Sequence, residues 1–152
     1  MDKRISLELY WWLFTAIIGI AILLPILYKV PNYLFLLPNI IFIVAFVTFA
    51  RYIFLLKHTF LAHQQRLKIA IVLVSAIVIF YLISQINAFQ TFLDEEGPDI
   101  LVNHLPVSEQ QSMANYIRSE YLFFGVGSVI AAAILPFRLI ISVWRSYNRG
   151  TV

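Results

Sequence analysis

Four runs of apolar side chains, each twenty residues or longer, are separated by short polar punctuation. They cover about 7–28 ("LELYWWLFTAIIGIAILLPILY"), 33–56, 69–89 and 121–144. A helix rises 1.5 Å per residue, so roughly 20 apolar residues cross the hydrocarbon layer of a bilayer. Polar and apolar positions do not alternate in steps of two, as they do in outer-membrane strands. In hydrocarbon every backbone N–H and C=O must be satisfied within its own segment, which leaves the helix. The pattern predicts an all-α integral membrane protein, residues 1–152 forming one domain with four transmembrane helices in an antiparallel bundle.

The punctuation is uneven. "YKVPNY" leaves little room between the first two runs, which implies a tight hairpin. Pro25, Pro38 and Pro136 fall inside runs and are expected to kink them, since each removes a backbone donor. The longest polar stretch, about 90–120, contains Gly97–Pro98, a turn into a short helix. Ser108 with Gln111 then reads as a capping box. Met113, Tyr116, Ile117 and Tyr121 follow at helical spacing. Two short amphipathic helices are therefore expected in this loop, the second able to continue into the fourth span.

Composition strengthens the class: 61% of the residues are hydrophobic and only 12% charged, about half the usual share in a soluble domain. The first run is too long for a signal-peptide core and lacks a small-x-small cleavage site, so it reads as an uncleaved anchor. Net charge is +3, but the basic residues flank the spans and form no nucleic-acid patch. Lys3 and Arg4 precede the first span; Lys57, Arg66 and Lys68 separate the second and third; Arg145 and Arg149 follow the fourth. The 90–120 loop is acidic, with Asp94, Glu95, Glu96, Asp99, Glu109 and Glu120. Lys and Arg are retained on the cytoplasmic side, which puts both termini inside and the acidic loop outside. Trp11, Trp12 and Trp144 then fall at inner headgroup depth, where indoles prefer to lie. A bacterial cytoplasmic (inner) membrane is the expected location.

Two arginines lie inside apolar runs. Arg51 is six residues before Lys57, about 9 Å deeper along a helix, and Arg138 stands seven before Arg145. Side chains of that length can run to the inner headgroups, so snorkelling accounts for both. The sharper alternative joins Arg51 and Arg138 to Glu8, which enters the first span from the same side. Such a cluster would hold an anionic lipid phosphate at the inner leaflet or a partner's acidic residue. Milder polar residues, Ser75, Ser84, Gln85 and Asn87 on span three with Asn39 on span two, commonly bond between helices. Asn39, Ser84, Gln85 and Asn87 could instead line a polar vestibule open to the outer side. Gly127 with Ala131, and Ser128 with Ala132, allow close helix approach on span four.

Candidate chemistry is sparse. With no cysteine, disulfides, thiolate catalysis and Cys-based metal sites are excluded. His58 and His63, five residues apart, would stand about 140° apart on a helix, unsuited to joint ligation, and His104 belongs to the other side of the membrane. No Asp, Glu, Lys or His falls at the centre of a span, where proton-coupled transporters usually carry one. Phosphate-binding Gly-rich loops, G-x-S-x-G elbows and H-E-x-x-H pairs are missing. The expectation is a non-catalytic accessory or structural subunit of a larger membrane assembly, without cofactor or metal. Its partners would be the bilayer and another protein, or further copies of itself, met through helix faces. The alternative is a small oligomeric channel, transporter or lipid-handling protein. A lipid-modifying enzyme would need a base near Arg51 and Arg138, and only Glu8 qualifies.

Overall fold

The computed structural model describes residues 3–150; the side chains of Lys3, Arg4 and Arg149, three of the basic flanking residues used above to orient the chain, lie outside that description. Among the described residues the regular structure is all helical. Four long helices follow in order: α1 (Lys3–Lys29), α2 (Leu36–Phe54), α3 (Gln65–Glu96) and α4 (Val107–Arg149). Short 3-10 turns at Leu56–His58 and Phe60–His63 join α2 to α3, and one at Pro98–Leu101 lies between α3 and α4. All four long helices are long and apolar enough to cross a membrane. The chain is a helical membrane protein.

Whereas α2 is shorter than its apolar run, α1, α3 and α4 outrun theirs, α4 most. Its 43 residues rise about 65 Å, roughly twice the hydrocarbon thickness. The expected second loop helix is therefore the first part of α4, and the loop itself shrinks to residues 97–106. Ser108 does not cap this helix: Pro106 holds the N-cap position, without a side-chain cap bond. Pro98 does start a short turn, after Gly97 ends α3 at φ 81°. Pro25 and Pro136 lie inside α1 and α4, as read. Pro38 instead falls in the first turn of α2, where no intrahelical N–H bond is lost. Tyr33, Leu34 and Phe35, assigned above to the second span, stay outside α2. The chain reverses after α1 through Pro31–Asn32, with Asn32 at φ 62°, a conformation Asn tolerates better than most residues.

Packing is built on α4. Both α2 and α3 lie along it, direct contact between α2 and α3 is slight, and α1 leans mainly on α2. The first turns of α1, the α2–α3 connection and the last turns of α4 share one end of the bundle: Glu8 meets Arg51 and Phe60, and Gln65 Nε2 donates to Ser146 Oγ at 2.9 Å. At the opposite end Lys29 pairs with Glu109, and Tyr116 donates to the Ile22 carbonyl. That end also holds an aromatic knot, in which Phe89 stacks on Tyr121 at 4.0 Å and Phe35 packs edge-on against Phe89, Phe92 and Tyr121. Each edge-on pair adds about 0.5–1.5 kcal/mol beyond burial.

Small residues set how closely α4 approaches its neighbours. A Cβ on Gly127 would stand 2.9 Å from two ring atoms of Phe46 on α2, and one on Gly125 would stand 3.1 Å from Ile86 on α3. Ser128, Ala131 and Ala132 are buried beside them. Gly127→Val should cost about 1–3 kcal/mol through displacement of Phe46. Gly19→Ala, whose added carbon meets nothing nearer than Ile43 at 4.0 Å, should be neutral or gain up to ~1 kcal/mol. Reversible unfolding in detergent micelles measures both.

Candidate functional site

Polar chemistry gathers at the two ends of the bundle, and the fold determines who meets whom. Near the α2–α3 connection, Arg51 in the last turn of α2 donates from Nη1 to Glu8 Oε2 at 2.7 Å. Glu8 Oε1 accepts from the backbone N–H of Phe60 at 2.7 Å, so one carboxylate ties α1 to α2 and to the second 3-10 turn. The guanidinium carbon lies 5.3 Å from the centre of the Trp11 ring, a cation–π contact. Only 6% of the Arg51 side chain and 19% of Glu8 is exposed. Arg51 therefore turns inward to a carboxylate, and snorkelling does not describe it. Its Nε and Nη2 are buried with no hydrogen-bond partner among the described residues.

Arg138 does not join that pair. Its Nε donates to the Ile53 carbonyl at 3.1 Å, satisfying one of the acceptors orphaned at the end of α2. Lys68, read above as a flanking loop charge, is instead fully buried at the start of α3. Its Nζ donates to the Ala62 carbonyl at 2.6 Å and to Ser142 Oγ at 2.9 Å, pinning the connection to α4. The signal was present in the spacing. Lys68, Ser75, Leu82 and Phe89 stand seven apart, one inward stripe of α3.

At the opposite end Asn39 Nδ2 donates to Glu120 Oε2 at 2.7 Å, linking α2 to α4. Asn39 is 0% and Glu120 7% exposed. Tyr33 lies against them and is 5% exposed; its burial, and then the charge of Glu120, push its phenol far above the ordinary tyrosine range. The hydroxyl thus stays protonated. Glu120 was legible only as one acid of an acidic loop. Yet it follows Ile117 by three residues and precedes Phe124 by four, and so falls on the inward face of α4.

The residues read as a vestibule are not brought together. Asn39 is committed to Glu120, whereas Ser84 and Asn87 lie exposed on the outer face of α3 and Gln85 is half-buried. The Gln85 backbone carbonyl accepts a 3.3 Å bond from the Tyr121 hydroxyl. His58 and His63 are exposed on the α2–α3 connection. His104, at the other end, donates from Nε2 to the Lys29 carbonyl at 2.7 Å. Among the described residues no three His, Cys, Asp or Glu side chains are grouped to hold a metal.

Comparison with known families, with curated proteins and with solved structures finds no match.

Removing one partner of a buried ion pair strands the other charge, at about 3–5 kcal/mol, whereas replacing both by apolar groups is often nearly neutral. Arg51→Leu and Glu8→Leu should each destabilise the protein, and the double variant should recover most of the loss. A double-mutant cycle of unfolding free energies measures this coupling. Simple snorkelling would instead leave the two effects additive.

Proposed function

We propose that this chain is a non-catalytic accessory or structural subunit of a larger membrane assembly, joined to its partner through helix faces. One observation carries the reading. Because α2 and α3 both pack on α4 but scarcely on each other, an apolar seam stays open between them. It holds a cavity of about 370 Å³ lined by Phe49, Tyr52, Val74 and Leu135, and a second of about 690 Å³ lined by Val44, Thr48, Tyr81 and Leu82. Phe49 and Val78 border both, and α1 contributes Trp12 alone. Ala45, Thr48, Ala70 and Ser75 keep the walls low. Small side chains of this kind let another helix approach closely in lipid, where packing, not hydrophobicity, drives association. Most polar groups inside the bundle join one helix or connection to another, as Glu8, Lys68, Arg138 and Asn39 do, which suits a structural role better than turnover chemistry.

Orientation belongs to the same proposal. The basic α2–α3 connection, where Lys57 and Arg66 are exposed, would face the cytoplasm of a bacterial inner membrane, with Asp94–Glu96 outside. Side-specific reporters fused at residue 97 and at each end should then report from opposite compartments; the same compartment for residue 97 and either end refutes the sidedness.

A second reading, retention of an anionic lipid, is favoured by the unpartnered Nε and Nη2 of Arg51. Together these form one edge of the guanidinium fork, whose geometry matches phosphate. Purification in mild detergent followed by native mass spectrometry distinguishes the two. A defined protein partner that is lost in Val74→Trp, with helicity unchanged, supports the subunit reading. A homo-oligomer retaining anionic lipid, with the lipid lost in Arg51→Leu, supports the second and overturns the first.

A further inference from the structure

We infer that Tyr33, Asn39 and Glu120 form a binding site for one monovalent cation, a sodium ion or a proton, at the junction of α2 and α4. Among the described residues three buried oxygens there have no hydrogen-bond partner: Tyr33 Oη, Asn39 Oδ1 and Glu120 Oε1. Each belongs to a side chain more than nine-tenths buried, and the 2.7 Å bond from Asn39 Nδ2 to Glu120 Oε2 fixes the amide against the carboxyl. Orphaned buried polar atoms are costly and rare. Asn39 Oδ1 and an ionised Glu120 Oε1 can only accept, and the Tyr33 hydroxyl can accept while donating one proton, so the cluster holds more acceptors than donors and suits an occupant that brings positive charge.

Charge counting leads to the same place. Among the described residues Glu120 has no ion-pair partner. Lys29, half-buried at this end of the bundle, is engaged by Glu109 at 2.6 Å, and Arg118 is exposed. The groups facing Glu120 are neutral: Tyr33 and Asn39 from the α1–α2 connection and α2, and Tyr116 and Tyr121 from α4 itself, with Tyr81 of α3 beside Tyr121. Asn39 lies in the first turn of α2, whose dipole supplies only about half a positive charge. Part of the charge of an ionised Glu120 is left over, and one monovalent cation supplies what is missing. A sodium ion would use oxygens only, in keeping with a hard cation. A proton on the carboxyl would serve the same charge balance and turn an acceptor into a donor. The reading is independent of the seam between α2 and α3, so it stands or falls apart from the proposed assembly role.

The test is thermal unfolding of the purified full chain in detergent, in sodium chloride against choline chloride at equal ionic strength, over a series of pH values. A ligand bound by the folded state alone raises Tm saturably. Sodium occupancy predicts such a rise in sodium, abolished in Glu120→Gln and weakened in Tyr33→Phe. Proton occupancy predicts a rise on lowering the pH, abolished in Glu120→Gln and kept in Tyr33→Phe. If Glu120→Gln does not fold, the wild-type and Tyr33→Phe titrations still decide between the sources. A wild-type Tm that responds to neither cation, or a Glu120→Gln variant that responds as the wild type does, overturns the site.

Discussion

Hydrocarbon offers no hydrogen bonds, so a polar group carried into a membrane finds its partner inside the protein or pays the full cost of going without. That constraint shapes every junction of this bundle. Glu8 serves Arg51 and the Phe60 N–H, Lys68 serves Ala62 and Ser142, Arg138 serves Ile53, and Asn39 serves Glu120. Each bond joins two elements that greasy surfaces alone would align only loosely. Lipid tails are as apolar as leucine, so burial of leucine gives these helices little reason to choose one another. Directional bonds near the ends and glycine-level contact near the middle supply that choice.

The two kinds of contact divide the labour. Along its middle, α4 offers Gly125, Gly127, Ser128 and Ala132 to the rings and branched chains of α2 and α3. That fit makes α4 the common wall, and its 43 residues carry the wall beyond the apolar layer on the Val107 side. The extension lets Met113 and Ile117 pack with Leu101 and Val102, so the short loop is held down as part of the core. The second amphipathic helix expected in the loop is thus continuous with the fourth span, and only the short Pro98–Leu101 turn stands apart from it.

What could be read from sequence followed from periods and lengths. Span number and helical character came from apolar runs, because a bilayer imposes one length scale. Element ends came out less well. Apolar composition stops where lipid stops, whereas backbone helix continues into water wherever side chains still pack, as at Gln65–Lys68 and 107–120. Run boundaries alone place Lys68 and Glu120 among the solvated flanks. Their spacing from Ser75 and Ile117 contained the correction, since a helix face continues past the end of an apolar run. Partner choice was the least legible. Glu8, Arg51 and Arg138 lie at similar depth, but only the rotation of each helix decides that Arg51 takes the carboxylate and Arg138 a carbonyl.

Why retain ionisable groups that a leucine could replace? Replacing a buried pair by well-packed apolar side chains often gains stability, so stability is a weak reason to keep one. Register is a better one. Sliding α1 by one turn against α2 would carry Glu8 about 5.4 Å from Arg51 and strand a guanidinium already 94% enclosed, whereas an all-leucine surface would permit the slip at small cost. The same reasoning applies to α2 against α4 through Asn39 and Glu120 at the far end. Register held at both ends fixes the walls of the α2–α3 seam, which no helix among the described residues fills. A preformed groove has already met the ordering cost of its walls, and for the partner helix proposed above that lowers the cost of binding.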